Sequence, residues 1–524
     1  MYRKAEQRLS RLINTGTQHL LKGGGIGLEK ESLRVSPDGT IAQTRHPSSL
    51  GSPLVHPHIT TDYSEALIEF ITPAFPDIGE ALAFLRDTQK FVYDNLGQEI
   101  LWATSMPCVI RDETSIPIAE YGGSNAGLMK TVYRRGLGYR YGRTMQVIAG
   151  VHFNYSFADS FWPVFRDQES DRRPLQELVA DAYFALIRNL QRFGWLVPYL
   201  FGASPAVCKS FLNNQRTTLK EFSDYTYYEP YATSLRMGDI GYQNNKEKET
   251  GIKANYDSLA AYVDSLVCAI KTSYPGYEKI GVAESGEYRQ LNANILQIEN
   301  EYYSTMRPKQ VPIGYEMPIL ALRRRGVRYV ELRSLDVNTF DPLGIDEDQL
   351  RFLEAFLIFC LLHESPRLSL LERREIDFNE IAAAHRGRDP KLTLHRDGRE
   401  QRLRDWALEL CAAMQGVCEV LDEGLGERPY SRSLARQGEA ARDPDRTPSA
   451  RMLAQMRRSG EEFFGFAKRM SETHQHYFQS LSMPEARRRF FEREAEGSLA
   501  RQREIETADD IPFDEFLRRY FAQV

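Results

Sequence analysis

Two glutamates placed one residue apart are the first feature of this sequence that could do chemistry. Glu29 and Glu31 lie in GLEKESLRV (27–35), whose apolar residues predict a β-strand. Residues i and i+2 of a strand point to the same face, so the two carboxylates would lie side by side and repel each other. Either that face is solvated or a positive group lies above it, and this strand alone does not decide between the two. Lys30 should point to the opposite face.

Three further segments repeat this two-residue spacing. VHFNYSF (151–157) places His152, Asn154 and Ser156 on one face, and YVELRSLDV (329–337) places Glu331 beside Arg333. ALIEFITP (66–73) carries Glu69 and ends at a proline, with Asp62 a little upstream. The acidic residues from 62 to 69 also fit helical spacing, so a helix remains an alternative there.

A fifth segment, LQIENEYY (296–303), is also interpreted as a strand with one polar face. That face would carry Gln297, Glu299, Glu301 and Tyr303. Solvated strand faces usually mix Lys, Thr and Ser, whereas these faces combine carboxylates with His, Arg or Asn.

Together the strand faces predict a site for a divalent cation. The residues that would line it are Glu29, Glu31, Asp62, Glu69, His152 and Glu331. Oxygen ligands with one histidine favour magnesium, or manganese, over zinc. Without the metal we expect such a cluster to have raised carboxylate pKa values and to hold protons.

A metal on a carboxylate-lined sheet with arginines nearby is typical of phosphoryl transfer. The sequence has no GxxxxGK[ST] motif, and in GGSNAGLMKT (122–131) the glycine and lysine are not adjacent. The glycine-rich LKGGGIGLEK (21–30) precedes a predicted strand and indicates a close turn, with phosphate contact as the alternative. If ATP binds, we therefore expect it on the sheet, held through metal ions.

The composition narrows the class of protein. The 524 residues are 42% hydrophobic and 27% charged, with a formal net charge of −5, as in ordinary soluble proteins. This balance gives no basic footprint for nucleic acid. Six scattered cysteines form no CxxC pair, so we expect reduced thiols in a cytoplasmic protein. The longest apolar run, AFLIFCLL (355–362), predicts a buried helix and is too short to span a bilayer.

The chain changes character near residue 365. Residues 1–24 predict an N-terminal amphipathic helix without the apolar segment of a signal peptide. Residues 25–365 mix strands with helices and should hold the catalytic core. Residues 366–524 show helical spacing, with a loop-like break at 436–450 and a last short helix in PFDEFLRRYF (512–521). We expect this helical region to pack on the core without forming an independent domain.

Long motifs between about residue 25 and about residue 365 resemble the proteobacterial type 1 glutamate–cysteine ligases (γ-glutamylcysteine synthetases). They include GLEKESLRV, ITTDYSEALIEFITP, YGGSNAG, GVHFNYSF, YATSLRMGDIGY and YVELRSLDVN, in the family's order. The resemblance implies an α+β fold like the catalytic domain of glutamine synthetase, with a curved antiparallel sheet surrounded by helices. It implies that ATP drives ligation of the γ-carboxyl of L-glutamate to the amine of L-cysteine through γ-glutamyl phosphate, the first step of glutathione synthesis.

The resemblance also implies a role for each site residue. One magnesium site would consist of Glu29, His152 and Glu331. A second would consist of Glu31, Asp62 and Glu69. A third ion would bridge Glu29 and Glu331 near the phosphates. The arginines at the transferring phosphoryl group and the bound glutamate would be Arg236 and Arg333, although Arg333 could instead pair with Glu331. The substrate-binding residues would be Tyr133, Arg134, Leu137, Tyr242 and Tyr303 for cysteine and Gln146 for glutamate.

Two other functions remain open at this point. The same fold could use a different amine acceptor, because pocket specificity can depend on one or two side chains. The chain could also be a metal- or nucleotide-binding regulatory protein on a ligase-like scaffold. For the ligase we expect a monomer that binds small molecules, with glutathione as feedback inhibitor and neither nucleic acid nor membrane as partner.

Overall fold

The strand that carries Glu29 and Glu31 lies inside a seven-stranded antiparallel sheet. The computed structural model describes residues 2–213, 216–241, 251 and 253–524. The strands of the large sheet are β1 (Gly25–Val35), β2 (Ile59–Thr61), β3 (Leu67–Ile71), β4 (Ile100–Leu101), β5 (Gly150–Ser156), β11 (Met306–Lys309) and β12 (Tyr329–Asp336). Their order is β11–β12–β5–β1–β3–β2, and β4 pairs with the end of β1. The antiparallel sheet confirms the predicted α+β class.

Smaller sheets lie outside this one. They are formed by β6 (Ala206–Cys208), β7 (Lys220–Ser223) and β8 (Thr226–Tyr228), by β9 (Ala283–Glu284) and β10 (Glu287–Tyr288), and by β13 (Thr393–Arg396) and β14 (Arg399–Arg402).

Helices surround the large sheet. Up to residue 362 they are α1 (Arg3–Asn14), α2 (Ile78–Tyr93), α3 (Asn125–Tyr141), α4 (Phe161–Gln168), α5 (Leu175–Phe193), α6 (Leu196–Phe201), α7 (Leu259–Lys271), α8 (Pro275–Glu278), α9 (Pro318–Arg325) and α10 (Glu347–Leu362). Beyond it they are α11 (Leu370–Arg386), α12 (Leu403–Asp422), α13 (Pro429–Arg442), α14 (Pro448–Ser459), α15 (Phe463–Ser480), α16 (Glu485–Ala508) and α17 (Phe513–Phe521).

The alternation along β1 places its charged residues on both faces of the sheet. Glu29 and Glu31 lie on the cavity side, whereas Lys30 is buried on the other side and donates from Nζ to Gln89 Oε1 of α2 at 2.6 Å. The orientation predicted for Lys30 is therefore confirmed. Because the strand is buried on both faces, its register is strongly specified, since a slip of one residue would exchange the two sets of side chains.

A largely buried helix, α10, forms part of the core. The predicted run from Ala355 to Leu362 is buried throughout, and α10 packs against α5, α12 and α13. Its first turn is closed by a capping box between Asp346 and Gln349. Among the described residues, no helix has the length and apolarity needed to cross a membrane.

The helical region beyond residue 365 makes hydrogen bonds to the preceding core. Ser498 Oγ accepts from the backbone N–H of Ser52 at 2.8 Å, and Ser471 Oγ accepts from the backbone N–H of Ala103 at 2.9 Å. One continuous hydrophobic core contains residues from both regions. These contacts favour the expected packing, and the boundary at residue 365 itself stays a prediction.

Two details of the predicted secondary structure are wrong, and one alternative is excluded. LQIENEYY is not a strand: residues 299–301 form a 3₁₀ turn, because Glu301 Oε2 accepts the backbone N–H of Gln297 at 2.7 Å and bends the chain. The helical alternative for residues 62–69 fails because β2 and β3 pair there as a hairpin. The break expected at 436–450 is confined to the short segment between α13 and α14.

The expectation of six reduced thiols is wrong for one pair. Cys108 and Cys208 form a disulfide with their Cα atoms 5.5 Å apart, while Cys268, Cys360, Cys411 and Cys418 are free. The two bonded residues are 100 positions apart in sequence. Tertiary packing brings them together, so their spacing carried no local signal.

A buried carboxyl lies on the side of the sheet away from the cavity. Glu354 of α10 accepts hydrogen bonds from Tyr155 at 3.3 Å and from Tyr430 at 2.6 Å. Burial raises the pKa of Glu354 to about 7, although both tyrosine hydroxyls favour the anion. Because the pKa of Glu354 is higher in the folded protein than in the unfolded chain, this residue stabilises the fold at pH values below its unfolded pKa. That stability is lost as the pH rises through about 7.

Glu354→Gln removes this titration. The unfolding free energy of the wild type, relative to that of the variant, should fall by roughly 2–3 kcal/mol between pH 5 and pH 8. Denaturant unfolding of both proteins across this pH range measures the difference. Parallel pH curves for the two proteins would contradict the assignment of a raised pKa to Glu354.

Candidate active site

One cavity of about 550 Å³ opens on the sheet face that carries Glu29 and Glu31. The sheet forms its floor, and α3 with the segments around residues 296–303 and 312–318 forms its walls. The predicted site residues that line it are Glu29, Glu31, Asp62, Glu69, Tyr133, Arg134, Leu137, Gln146, His152, Arg236, Tyr303, Glu331 and Arg333. Tyr242 lies outside the described residues.

Strand register brings the first predicted metal trio together. Glu29 of β1 is paired with His152 of β5, and Glu331 of β12 is paired with Asn154 of β5. His152 Nδ1 lies 3.2 Å from Glu29 Oε2 and 3.6 Å from Glu331 Oε1. One ligand atom from each of the three residues lies within 4.8 Å of the others, and the described part of the chain holds no second such group.

The second predicted trio lies further along β1. Glu31 is paired directly with Glu69 of β3, and Asp62 follows the end of β2. Glu31 Oε2 accepts the backbone N–H of Gly150 at 2.6 Å. Two carboxylates directly opposite each other on paired strands destabilise a sheet unless a proton or a cation intervenes.

The electrostatics divide the carboxylates into two groups. Burial raises the pKa of Glu69, and the charges of Glu29, Asp62 and Glu31 raise it further. Burial likewise raises the pKa of Glu31, partly opposed by His152. These two groups behave as the sequence predicts for a cluster without metal.

The other two carboxylates do not behave as predicted. Burial acts to raise the pKa of Glu331, but the charges of Lys309 and Arg333 outweigh it and lower the pKa well below its ordinary value. Burial also acts to raise the pKa of Glu29, but the hydrogen bond and charge of His152 together with the charge of Lys309 outweigh it, and the pKa is lowered. The raised pKa values predicted for the whole cluster are therefore wrong for these two residues, because His152, Lys309 and Arg333 lie beside them.

Two arginines reach the cavity from different elements. Arg333 donates from Nη1 to Glu331 Oε1 at 3.0 Å, so the ion pair considered as an alternative exists while Arg333 also lines the cavity. Arg236 is buried, and its Nη2 donates to the backbone carbonyl of Arg333 at 2.9 Å. A Cβ atom on Gly150 would lie 2.1 Å from this Nη2, so only glycine leaves room for the guanidinium.

Sequence reasoning missed two cations on the edge strand β11. Arg307 is paired with Glu331 across β11 and β12, and Lys309 Nζ lies 3.3 Å from Glu331 Oε2. Both side chains line the cavity. The signal was present in the motif RPK (307–309), where the two basic residues alternate around a proline and therefore share a face.

Three of the residues predicted to bind cysteine approach the cavity from α3. Tyr133, Arg134 and Leu137 lie on this helix. The guanidinium carbon of Arg134 lies 4.6 Å from the ring centre of Tyr121, and Arg134 Nε donates to the backbone carbonyl of Asp62. The apolar and aromatic side chains beside a fixed cation form a small pocket next to the acidic floor.

Comparison with known proteins decides the family. The family model for glutamate–cysteine ligase matches residues 9–382. The chain belongs to the glutamate–cysteine ligase family. It is 46% identical to the glutamate–cysteine ligase of Alcanivorax borkumensis over 98% of this chain and 99% of that protein. It is 48% identical to that of Pseudomonas paraeruginosa over 95% of this chain and 94% of that protein.

Solved structures agree with this family assignment. The crystal structure of the glutamate–cysteine ligase of Francisella tularensis in complex with AMP matches with a TM-score of 0.89 and 36% identity. The match covers 96% of this chain and 98% of that chain. A bifunctional glutathione synthetase from Pasteurella multocida shares the fold, with a TM-score of 0.66 over 89% of this chain and 54% of that chain at 21% identity. The ligase fold predicted from the sequence motifs is confirmed.

The donor set of this ligase fits a divalent cation. Glu29, His152 and Glu331 offer two carboxylates and one imidazole that already converge, and further carboxylates lie alongside. Carboxylate oxygens are the preferred ligands of hard divalent cations, and one imidazole is compatible with them. The assignment of individual ligands stays a prediction.

Adding Mg²⁺ or Mn²⁺ should raise the thermal midpoint of the protein, because an ion held by Glu29, His152 and Glu331 stabilises only the folded chain. Glu29→Gln and Glu331→Gln should each remove most of this rise. Glu80→Gln, at an exposed position of α2, should keep it. Thermal unfolding with and without the metal measures the effect, and an undiminished rise in both site variants would rule out the predicted ligand set.

Proposed function

We propose that this protein ligates the γ-carboxyl of L-glutamate to the amine of L-cysteine with hydrolysis of ATP to ADP and phosphate. The observation that carries the proposal is the convergence of acidic, cationic and aromatic site residues in one cavity on the sheet. The acidic floor and its neighbouring arginines suit phosphoryl transfer, while the α3 pocket suits a small amino acid. The product would be γ-glutamylcysteine, from which glutathione is made.

The reaction needs ATP because a carboxylate oxygen is a poor leaving group. In the first step an oxygen of the γ-carboxylate forms a bond to the γ-phosphorus, and the bond from that phosphorus to ADP breaks. In the second step the amine of cysteine forms a bond to the carbonyl carbon of γ-glutamyl phosphate. Phosphate then leaves with the oxygen that came from glutamate, and the nitrogen gives a proton to solvent.

The cationic residues of the cavity supply charge stabilisation in both steps. Arg236 and Arg333 would contact the transferring phosphoryl group and the bound glutamate, since a planar guanidinium can donate two hydrogen bonds to one oxyanion group. Lys309 and Arg307 extend the positive surface along β11. Because these side chains are held by buried carboxylates and carbonyls, they need little reorganisation when charge develops.

Magnesium, with manganese as the alternative, would neutralise charge on the ATP phosphates when bound. Glu29, His152 and Glu331 are the residues that would hold one ion, and Glu31, Asp62 and Glu69 those that would hold a second. The Francisella relative binds AMP, and we infer that the same cavity takes ATP here. A cytoplasmic location, a monomeric state and inhibition by glutathione stay predictions.

Cysteine would bind against Tyr133, Arg134 and Leu137, with Tyr303 across the cavity and Gln146 beside the glutamate. The hydroxyl of Tyr303 donates to Met237 Sδ at 3.5 Å. A different amine acceptor would need only one or two changed side chains here, so acceptor preference needs a direct test.

ADP release in the presence of ATP, L-glutamate and Mg²⁺ should increase about tenfold or more when L-cysteine is added, because an enclosed site protects the acyl phosphate from water. Replacing cysteine by alanine should lower kcat/KM by about 10–200-fold, since the pocket then loses the thiol contact. A coupled ADP assay measures both. Equal kcat/KM for the two amines would favour the alternative acceptor, and ADP release independent of glutamate would contradict the ligation itself.

Arg333→Lys should lower kcat by about 10–100-fold, because lysine keeps the charge but loses the second hydrogen bond that forms in the transition state. The KM for ATP should change much less. Arg328 is exposed and immediately precedes β12. Arg328→Lys is therefore the matched control and should leave kcat and the KM for ATP unchanged. A change confined to the KM for ATP would show that Arg333 acts only in ground-state binding.

A further inference from the structure

The segment that carries Arg236 is attached to the end of a helix in the C-terminal region. The backbone N–H groups of Thr233 and Ser234 donate to the carbonyl of Ala384 at 2.8 and 3.1 Å. Thr233 Oγ1 donates to the carbonyl of Ala383 at 2.9 Å. The last turn of α11 therefore accepts hydrogen bonds from the residues that precede Arg236.

The next residue of α11, His385, contacts the chain both before and after Arg236. His385 Nδ1 lies 3.0 Å from Glu229 Oε2, and His385 Nε2 lies 3.1 Å from Asp239 Oδ1. Glu229 precedes Arg236 and Asp239 follows it, so one imidazole ring bridges the two ends of the Arg236 loop. Burial lowers the pKa of His385, but hydrogen bonds to Asp239 and Glu229 outweigh it and raise the pKa to about 9. The backbone N–H of Asp239 also lies 3.0 Å from His385 Nε2, so the ring contacts both the side chain and the backbone of this residue.

The Arg236 loop packs tightly against the His385 ring. A Cβ atom on Gly238 would lie 2.5 Å from His385 Nε2. A Cβ atom on Gly241 would lie 1.8 Å from the backbone carbonyl oxygen of Arg236. The backbone N–H of Gly241 donates to the carbonyl of Gly238 at 3.1 Å, which closes the turn. Movement of the ring would therefore be transmitted to the backbone of Arg236.

The opposite side of the segment is fixed by the sheet. Asp336 of β12 accepts from Ser234 Oγ at 2.8 Å and from Ser204 Oγ at 2.6 Å. The Arg236 guanidinium fills the slot beside Gly150 described above, so it cannot adjust freely if its backbone shifts. Asp336 and His385 thus hold the segment from two sides, and only His385 belongs to the C-terminal helical region.

We propose that His385 is a positioning residue, whose ring, bound between Glu229 and Asp239, fixes the Arg236 loop in the geometry that the reaction needs. This inference rests on the proposed ligation, since Arg236 has its catalytic role there. Of the two contacts, that to Glu229 is the better shielded, because the side chain of Asp239 is 61% exposed and that of Glu229 is 20% exposed. The Glu229 contact should carry the larger effect.

A double-mutant cycle on kcat tests the proposal. His385→Ala should lower kcat about tenfold in the wild-type background, because displacement of a catalytic group by a fraction of an ångström has effects of this size. The KM for cysteine should stay within about twofold. In an Arg236→Lys background, where the planar fork is already lost, His385→Ala should lower kcat by less than about twofold.

A matched control separates positioning from general stability. His395 lies in the same C-terminal region, and its ring packs on Phe378 with 4.5 Å between ring centres. His395→Ala should leave kcat unchanged. The thermal midpoints of His385→Ala and His395→Ala are compared to measure any general loss of stability. If His385→Ala does not fold, Glu229→Ala removes the better-shielded contact and enters the same cycle.

The outcomes separate this inference from the proposed function. Equal loss of kcat in the wild-type and Arg236→Lys backgrounds overturns it, as does kcat within about twofold of wild type in the single variant, because His385 then does not act through Arg236. Absence of glutamate-dependent ADP release in the wild type would instead contradict the proposed function, and this is seen before any variant is made.

Discussion

Repulsion between carboxylates packed on one face of an antiparallel sheet is the constraint on which the rest of the structure depends. Glu31 lies directly opposite Glu69, and Glu29 lies beside both of them and within reach of Glu331 through His152. Like charges on paired strands destabilise a sheet, so this register exists only because the opposite face is buried and specifies it. The buried placement of Lys30 against Gln89 is part of that specification.

The repulsion between the carboxylates is reduced in different ways at the two sides of the site. Towards β11 and β12, the cations Lys309 and Arg333 keep Glu331 ionised, and its pKa is lowered. Towards β3, burial and the neighbouring carboxylates outweigh the charge of Arg333 and raise the pKa of Glu69. The acidic floor is therefore arranged to receive added positive charge, which divalent metal ions would supply. The helical region contributes as well, since α11 holds the Arg236 segment against the sheet.

Much of this arrangement could be predicted from the sequence, for a physical reason. Period-two alternation is a local property, so the side chains that share a face, such as Glu29 with Glu31 or Glu331 with Arg333, can be read without the fold. The family motifs then place these faces in one sheet. Prediction failed where distant residues decide the outcome. Glu301 accepts hydrogen bonds from the backbone N–H of Gln297 and from Arg140, and Cys108 is bonded to Cys208, which lies 100 positions away in sequence. The lowered pKa of Glu331 depends partly on Lys309, a partner on another strand.

The central claim is that glutamate attacks ATP on this acidic face and leaves as an acyl phosphate. The most direct test uses L-glutamate labelled with ¹⁸O in its γ-carboxyl, in the presence of ATP, Mg²⁺ and L-cysteine, with mass analysis of the released phosphate. The account predicts one labelled oxygen in each phosphate formed, because the oxygen that bonds to phosphorus departs with it. Unlabelled phosphate, formed together with γ-glutamylcysteine, would contradict the account.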